Sequence, residues 1–204
     1  MTELRTLGII LAGGRAVRLG GRIKALEMLG GARLIDHVIA RARGQVDALV
    51  ISANDPMPGL PDDVTVLGDV PGALPLAPEL RDGPLAGIVS ALLHASAHRF
   101  DLILTFAGDT PFVPYTLASQ LHAGGAGIRL ARSDGQIMPV FGLWPVSTHG
   151  ALAALMEKGE RSIAGAARQL GGVFVDVACT IGESFHDLDT PEDLACLTAL
   201  LPKN

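Results

Sequence analysis

Cysteine is almost absent: Cys179 and Cys196 are the only two in 204 residues. They lack the paired spacing of a zinc motif and are too few for a disulfide framework, so two reduced thiols in or near a core are expected. Aromatic residues are scarce at 4%, and Trp144 and Tyr115 read as packing residues. An excess of positive charge is missing. Sixteen Lys and Arg stand against 21 Asp and Glu, for a net charge of −5, which argues against the basic surface a nucleic-acid binder needs. No apolar run approaches the span of a membrane helix. The opening Met1-Thr2-Glu3-Leu4-Arg5-Thr6 lacks the apolar stretch of a signal peptide. The cytoplasm is therefore the expected location, with neither membrane nor nucleic acid as partner. Also missing are a Walker loop, a Gly-x-Gly-x-x-Gly fingerprint and a Gly-x-Ser-x-Gly elbow. The six histidines show no metal-ligand spacing with an acid partner on a helix face, and no role is assigned to them.

Against these absences, hydrophobic residues make up 49% of the chain, enough for a full core, and the length suits one domain spanning 1–204. Short apolar runs at Leu7–Leu11, Ala48–Ser52, Val64–Leu67 and Leu102–Phe106 read as buried strands. Helical patterns follow at Leu34–Arg43, Pro84–Ala97 and Pro114–Leu121. The second half predicts strands at Pro139–Leu143 and Gly172–Val177 and helices at Val146–Lys158 and Pro191–Leu201. Thr190 is the expected cap of the last helix, with Pro191 at its first position. Strand–helix alternation implies an α/β fold with a mostly parallel sheet covered on both faces. Ligands of such sheets bind beyond the carboxyl ends of the strands. There the chain places a glycine-rich loop after Leu11, Ser52 and Asn54, Asp69, and Asp109.

The loop Gly13–Lys24 carries Arg15, Arg18, Arg22 and Lys24. Its free N–H groups and cations suit phosphate. Asp109, in Gly108-Asp109-Thr110-Pro111, suits a magnesium ligand, because Mg²⁺ commonly takes one or two protein carboxylates beside phosphate and water. Asp69 is a second candidate for that polar cluster. The turn Asp82–Gly87 leaves room for a flat base, and Ser52 and Asn54 can hydrogen-bond a base or sugar or simply satisfy local backbone. Lys24 and Arg18 are placed to offset charge on a departing pyrophosphate.

Taken in order, Leu11-Ala12-Gly13-Gly14 with Arg18, Gly20 and Lys24 resembles a nucleotidyltransferase signature. Gly83–Gly87, Gly108–Phe112, Pro139–Trp144 and Asp189–Leu194 extend the likeness over nearly the whole chain, which resembles the molybdenum cofactor guanylyltransferases. The resemblance implies a three-layer Rossmann-like nucleotidyltransferase fold. It implies transfer of GMP from GTP, with Mg²⁺, to the phosphate of molybdenum-bound molybdopterin, and release of pyrophosphate. By resemblance Leu11, Ala12, Gly13, Ser52, Asn54 and Asp69 contact the nucleotide, Lys24 its phosphates, and Asp109 both nucleotide and metal. Molybdopterin falls near Pro139–Leu143, Arg161 and the Asp187–Asp189 turn. Other cofactor-biosynthesis proteins or acceptor molybdoenzymes are the implied partners. Two positions depart from the family: Ile23 precedes Lys24 where an aspartate is usual, and Asp187-Leu188-Asp189 replaces Asn-x-Asn. The second resembles cytidylyl relatives, so a CTP- or sugar-phosphate-dependent enzyme is the alternative. The first admits a catalytically weak nucleotide-binding protein.

Overall fold

The computed structural model describes residues 4–13, 15–16, 22–68 and 83–201. Strand β1 (Thr6–Leu11) is buried along almost its whole length, as a strand covered on both faces must be. Its side chains alternate: Leu7 and Ile9 enter one core layer, Ile10 the other. Two short antiparallel pairs follow, β2 (Arg15–Ala16) with β3 (Arg22–Ile23) and β4 (Met28–Leu29) with β5 (Ala32–Arg33). Helix α1 (Leu34–Arg43) buries Leu34, Ile35, Val38, Ile39 and Ala42 at helical spacing and ends in Arg41 and Arg43, beside the negative end of its dipole. Strands β6 (Ala48–Ser52) and β7 (Thr65–Leu67) come next.

Helix α2 (Pro84–Ala97) starts from Gly83, whose φ of 97° is a conformation that side chains resist. Nine of its residues from Leu85 to Ala95 are buried, because it lies between the sheet and later helices. Strand β8 (Leu102–Ala107) sends Leu102, Leu104 and Phe106 to the α1 layer and Ile103 to the α2 layer. Helix α3 (Leu117–Ala123), strands β9 (Arg129–Ser133) and β10 (Gln136–Pro145), helices α4 (His149–Glu157) and α5 (Ile163–Gln169), strand β11 (Val173–Asp176) and helix α6 (Pro191–Ala199) complete the order.

The main sheet runs β11-β9-β10-β8-β1-β6-β7. Only β10 is antiparallel to its neighbours; every other pairing is parallel. The expected α/β fold with a mostly parallel, two-faced sheet is what forms. Helices α1 and α3 pack one face, around Ile35, Val38, Leu117 and Leu121. Helices α2, α4 and α5 pack the other, around Ile88, Leu92, Leu152 and Ala166. No helix among the described residues is long and apolar enough to cross a membrane.

The structure corrects several expectations. Strand β9 and helix α5 carry no clear apolar pattern and were not anticipated; Arg129 of β9 is nonetheless 4% exposed. Helix α3 begins three residues later than expected, since Pro114–Leu117 is a turn closed by the Leu117 N–H on the Pro114 carbonyl. The segment Val146–Lys158 divides into a 3-10 turn and α4. Both cysteines are exposed rather than core residues. Tyr115 is 57% exposed, with the Arg41 guanidinium 4.0 Å from its ring centre, whereas Trp144 is fully buried. Because Phe106 is wholly buried under β1, α1 and α3, Phe106→Ala is expected to destabilise the fold by about 3–5 kcal/mol, read as a lowered urea midpoint.

Candidate active site

The carboxyl ends of β1, β6 and β8 are pinned together by backbone. The Ala12 N–H donates to the Ser52 carbonyl at 2.9 Å, and the Gly108 N–H donates to the Leu11 carbonyl at 3.0 Å. A Cβ on Gly108 would stand 3.2 Å from the Ala12 Cα, so a side chain there would need the β1 end to give by a few tenths of an ångström. These ends open into a cavity of about 490 Å³, lined by Leu11, Gly13, Ser52, Ala53, Asn54, Gly83, Pro84, Gly87, Ala107, Asp109 and Val140. That volume is within the range of small-molecule sites. Leu11, Gly13, Ser52, Asn54 and Asp109 thus reach the wall as expected, and so does the Gly83–Gly87 turn. Ala12 lies buried beneath it. Arg18 and Asp69 lie outside the described residues.

Lys24 opens a short 3-10 turn at the end of β3, where β2–β3 pairing returns the chain to β1. Its Nζ pairs with Asp189 Oδ1 and lies 3.5 Å from Asp109 Oδ2. The lysine therefore has acidic partners despite Ile23; they arrive from β8 and from the C-terminal turn. Burial alone lowers the lysine's affinity for its proton, but the hydrogen bond to Asp189 and the charges of Asp109, Asp189 and Asp187 outweigh it and raise the pKa. Asp109 is shifted in the same direction for a different reason. Burial pushes its carboxyl above the ordinary range and Asp187 adds to this, while Lys24 opposes it. The pairing thus holds the lysine firmly charged and leaves the buried carboxylate incompletely compensated.

Asp189 is itself held by α6. Asp193 accepts the backbone N–H groups of Asp189 at 2.9 Å and Thr190 at 2.7 Å, and the Thr190 hydroxyl at 2.9 Å. Thr190 in return caps the Asp193 N–H at 3.2 Å, the capping box its sequence position implies. These bonds, the one from the Asp189 backbone foremost, hold Asp193 at a pKa of about 2, and His186 Nε2 lies 2.9 Å from its other oxygen.

Sequence reasoning missed two contributors. Thr105, wholly buried on β8, donates its hydroxyl to the Val140 carbonyl and accepts the Gly142 N–H at 2.9 Å. It thereby anchors a register shift between Met138 and Gly142 of β10, beside the point where Val140 joins the cavity wall. A lone threonine in an apolar strand gives no signal of this. Asp189 was placed near the acceptor, not on Lys24; only the folded chain brings together residues 165 apart. Arg161 commits its guanidinium to the carbonyls of Met156 and Glu160, at 2.7 and 2.8 Å, beside the end of α4. A second hollow of about 320 Å³ lies on the β9–β10 side, lined by Ser133, Asp134, Gln136, Met138, Cys179 and Glu183–His186.

A mostly parallel sheet with Gly13 just after β1, and with a lysine and an aspartate meeting at the strand ends, fits the nucleotidyltransferase class. Residues 8–171 match the model of the MobA-like NTP transferase domain, and the chain belongs to that family. The molybdenum cofactor guanylyltransferase of Cereibacter sphaeroides is 39% identical, over 98% of this chain and 100% of its own length. That of Rhodobacter capsulatus is 40% identical over 94% of each. The crystal structure of molybdopterin-guanine dinucleotide biosynthesis protein A from Archaeoglobus fulgidus shares the fold, with a TM-score of 0.74 at 22% identity, covering 95% of this chain and 97% of that one.

Two outcomes follow from this geometry. A Cβ at Gly87 would stand 2.8 Å from Ser52 Oγ and 2.9 Å from Leu11 Cδ2, so Gly87→Ala should displace both walls. The KM for the nucleotide is expected to rise about tenfold, equivalent to about 1.4 kcal/mol, with unchanged circular dichroism. Asp109→Asn removes a carboxylate that burial disfavours. Its raised pKa means the wild type carries no ionisation penalty below its ordinary value of 3.8 and the full penalty only above its folded-state pKa. Asp109→Asn should therefore match the wild type in strong acid and gain relative stability as pH rises toward neutrality, measured as a difference in Tm across pH.

Proposed function

We propose that the chain transfers GMP from GTP to the phosphate of molybdenum-bound molybdopterin, forming the guanine dinucleotide cofactor and releasing pyrophosphate. The observation that carries this reading is the cavity in which Gly13 after β1, the Gly83–Gly87 turn and Asp109 meet, in a chain 39% identical to a molybdenum cofactor guanylyltransferase over its full length. In this reading an oxygen of the acceptor phosphate attacks the α-phosphorus of GTP. The bond to the bridging oxygen breaks, and pyrophosphate leaves with that electron pair.

Leu11, Ala12 and Gly13 form the floor and rim for the nucleotide, and Gly83 and Gly87 give a base room beside Pro84. Ser52 and Asn54 take the nucleoside's polar edge. Lys24 transfers its charge from Asp189 to the triphosphate, where a fixed cation stabilises the departing pyrophosphate. Arg18 and Asp69 complete the phosphate and nucleoside contacts. The carboxylate donors around Lys24 suit a hard divalent cation, and Asp109, half-buried in the cavity wall, fits Mg²⁺. Asp109 would hold the metal, which when bound supplies charge neutralisation at the phosphates. Molybdopterin takes the side of Val140 and the Asp187–Asp189 turn, next to the second hollow.

The whole chain, 1–204, acts as one nucleotidyltransferase domain in this reading. The reaction takes place in the cytoplasm, where both free cysteines stay reduced. Acceptor molybdoenzymes or other cofactor-biosynthesis proteins receive the product. The acidic pair Asp187 and Asp189 is the feature shared with cytidylyl enzymes, so base choice is part of the test. Purified protein incubated with molybdenum cofactor, Mg²⁺ and each of GTP, CTP, ATP and UTP should form the dinucleotide from GTP. A preference for CTP would overturn the guanine assignment. Lys24→Ala should lower kcat about 10²–10³-fold while the fold persists. Unchanged turnover would remove Lys24 from the reaction.

A further inference from the structure

His186 sits on the wall of the second hollow, beside Ser133, Met138 and Phe185. The described residues that line the nucleotide cavity do not include it. Its imidazole nevertheless leads toward that cavity, because Nε2 lies 2.9 Å from Asp193 Oδ1. Asp193 is held at a pKa of about 2 and is an anion at neutral pH. An ionised carboxylate only accepts, so Nε2 carries the proton and the ring donates.

The two oxygens of Asp193 have different duties. Oδ2 accepts the Asp189 and Thr190 N–H groups and the Thr190 hydroxyl. Oδ1 accepts from His186. The last torsion of an aspartate is broad and roughly two-fold, so bonds to one oxygen leave the carboxylate free to swing. A donor on each oxygen fixes it. The turn itself is tied down on either side of His186. The Ser184 N–H donates to the Phe112 carbonyl at 2.8 Å, the Leu188 N–H donates to the Asp109 carbonyl at 3.3 Å, and the Phe185 ring meets Phe141 edge-on with 4.9 Å between centres. At Asp189 the backbone relies on Asp193.

This arrangement decides which partner Lys24 keeps. Its Nζ is bonded to Asp189, whose side chain is 50% exposed, and stands 3.5 Å from Asp109, whose side chain is 22% exposed. A well-solvated pair is parted at little cost, whereas a more enclosed one is screened less. If Asp189 drifts, the nearest remaining anion among the described residues is Asp109. Lysine and aspartate then neutralise each other, and neither is ready for a phosphate or the metal that accompanies it.

We propose that His186 is a positioning residue for guanylyl transfer: by fixing Asp193 it holds Asp189 on Lys24 and keeps the lysine off Asp109. The inference rests on reading the cavity as a nucleotide site. Because His186 lines a different hollow, its effect on nucleotide affinity has to pass through Asp193.

Calorimetric titration with GTP, CTP, ATP and UTP in Mg²⁺ tests this. His186→Phe keeps a ring and removes the donor, while His186→Gln places an amide N–H at about the reach of Nε2. His186→Phe should weaken binding of the preferred nucleotide about tenfold, and His186→Gln should restore most of it. Asp189→Ala should cost a similar factor, and adding His186→Phe to it should cost nothing more, since residues acting through one another are not additive. The Tm of each variant checks that it folds. Wild-type affinity in His186→Phe, an equal loss in His186→Gln, or a loss that adds to that of Asp189→Ala would overturn the proposal. Preference for CTP would overturn the guanine assignment and leave the role of His186 to the same comparison. A wild type that binds none of the four would overturn the nucleotide site and this role together.

Discussion

Lys24 is where the two halves of the chain meet electrostatically. It leaves a glycine-rich loop at the amino-terminal end of the sequence and finds Asp109 from the middle strand and Asp189 from the last turn before α6. Three parts of the sequence must be correctly placed for that to happen. The β1–β8 register brings the loop and Asp109 to one edge. The Asp193 bonds hold Asp189 in reach. The third core cluster, Leu29, Leu34, Phe112, Leu188 and Leu197, supports the turn from below. Apolar packing sets the position, and the charges make use of it.

The lysine's partners are unequal in kind. Asp189 is half exposed, at 50% of its side-chain surface, and an ion pair in that setting adds little net stability. Asp109 is more enclosed and less comfortable as an anion. A site built this way has a cation ready to be drawn from an exposed carboxylate and an anion that gains from a second positive charge. That asymmetry suits a ligand that arrives as phosphate together with a metal ion better than it suits a neutral one.

How much of this was legible beforehand depended on the kind of signal. Strands such as β6 and helices such as α1 and α2 were readable to the residue, because hydrophobic spacing and proline at a helix start are local rules. Strand β9 was not, because its only apolar residues, Leu130 and Ala131, are adjacent and flanked by arginines. One is buried, and the other pairs with Asp176 of β11 across the sheet edge at 2.5 Å. At the site, Asp109, Ser52 and Asn54 could be placed because they end apolar strands. The link from Lys24 to Asp189 could not, since sequence shows Ile23 as a missing acid and gives no distance over which a substitute might arrive. Thr105 was hidden for a similar reason, as its partners belong to a strand thirty-odd positions later whose register shift only pairing reveals.

The late arrival of Asp189 has a consequence for biosynthesis. A ribosome makes Lys24 and Asp109 long before it makes the turn that partners the lysine, and a domain generally folds as a unit. Until the segment up to α6 has cleared the exit tunnel, the lysine has only a buried carboxylate to lean on, and the sheet is bordered by an edge that β11 has yet to cover. The corner around Lys24 thus takes its final form only once the turn at Asp189 is made, long after its own loop has been translated.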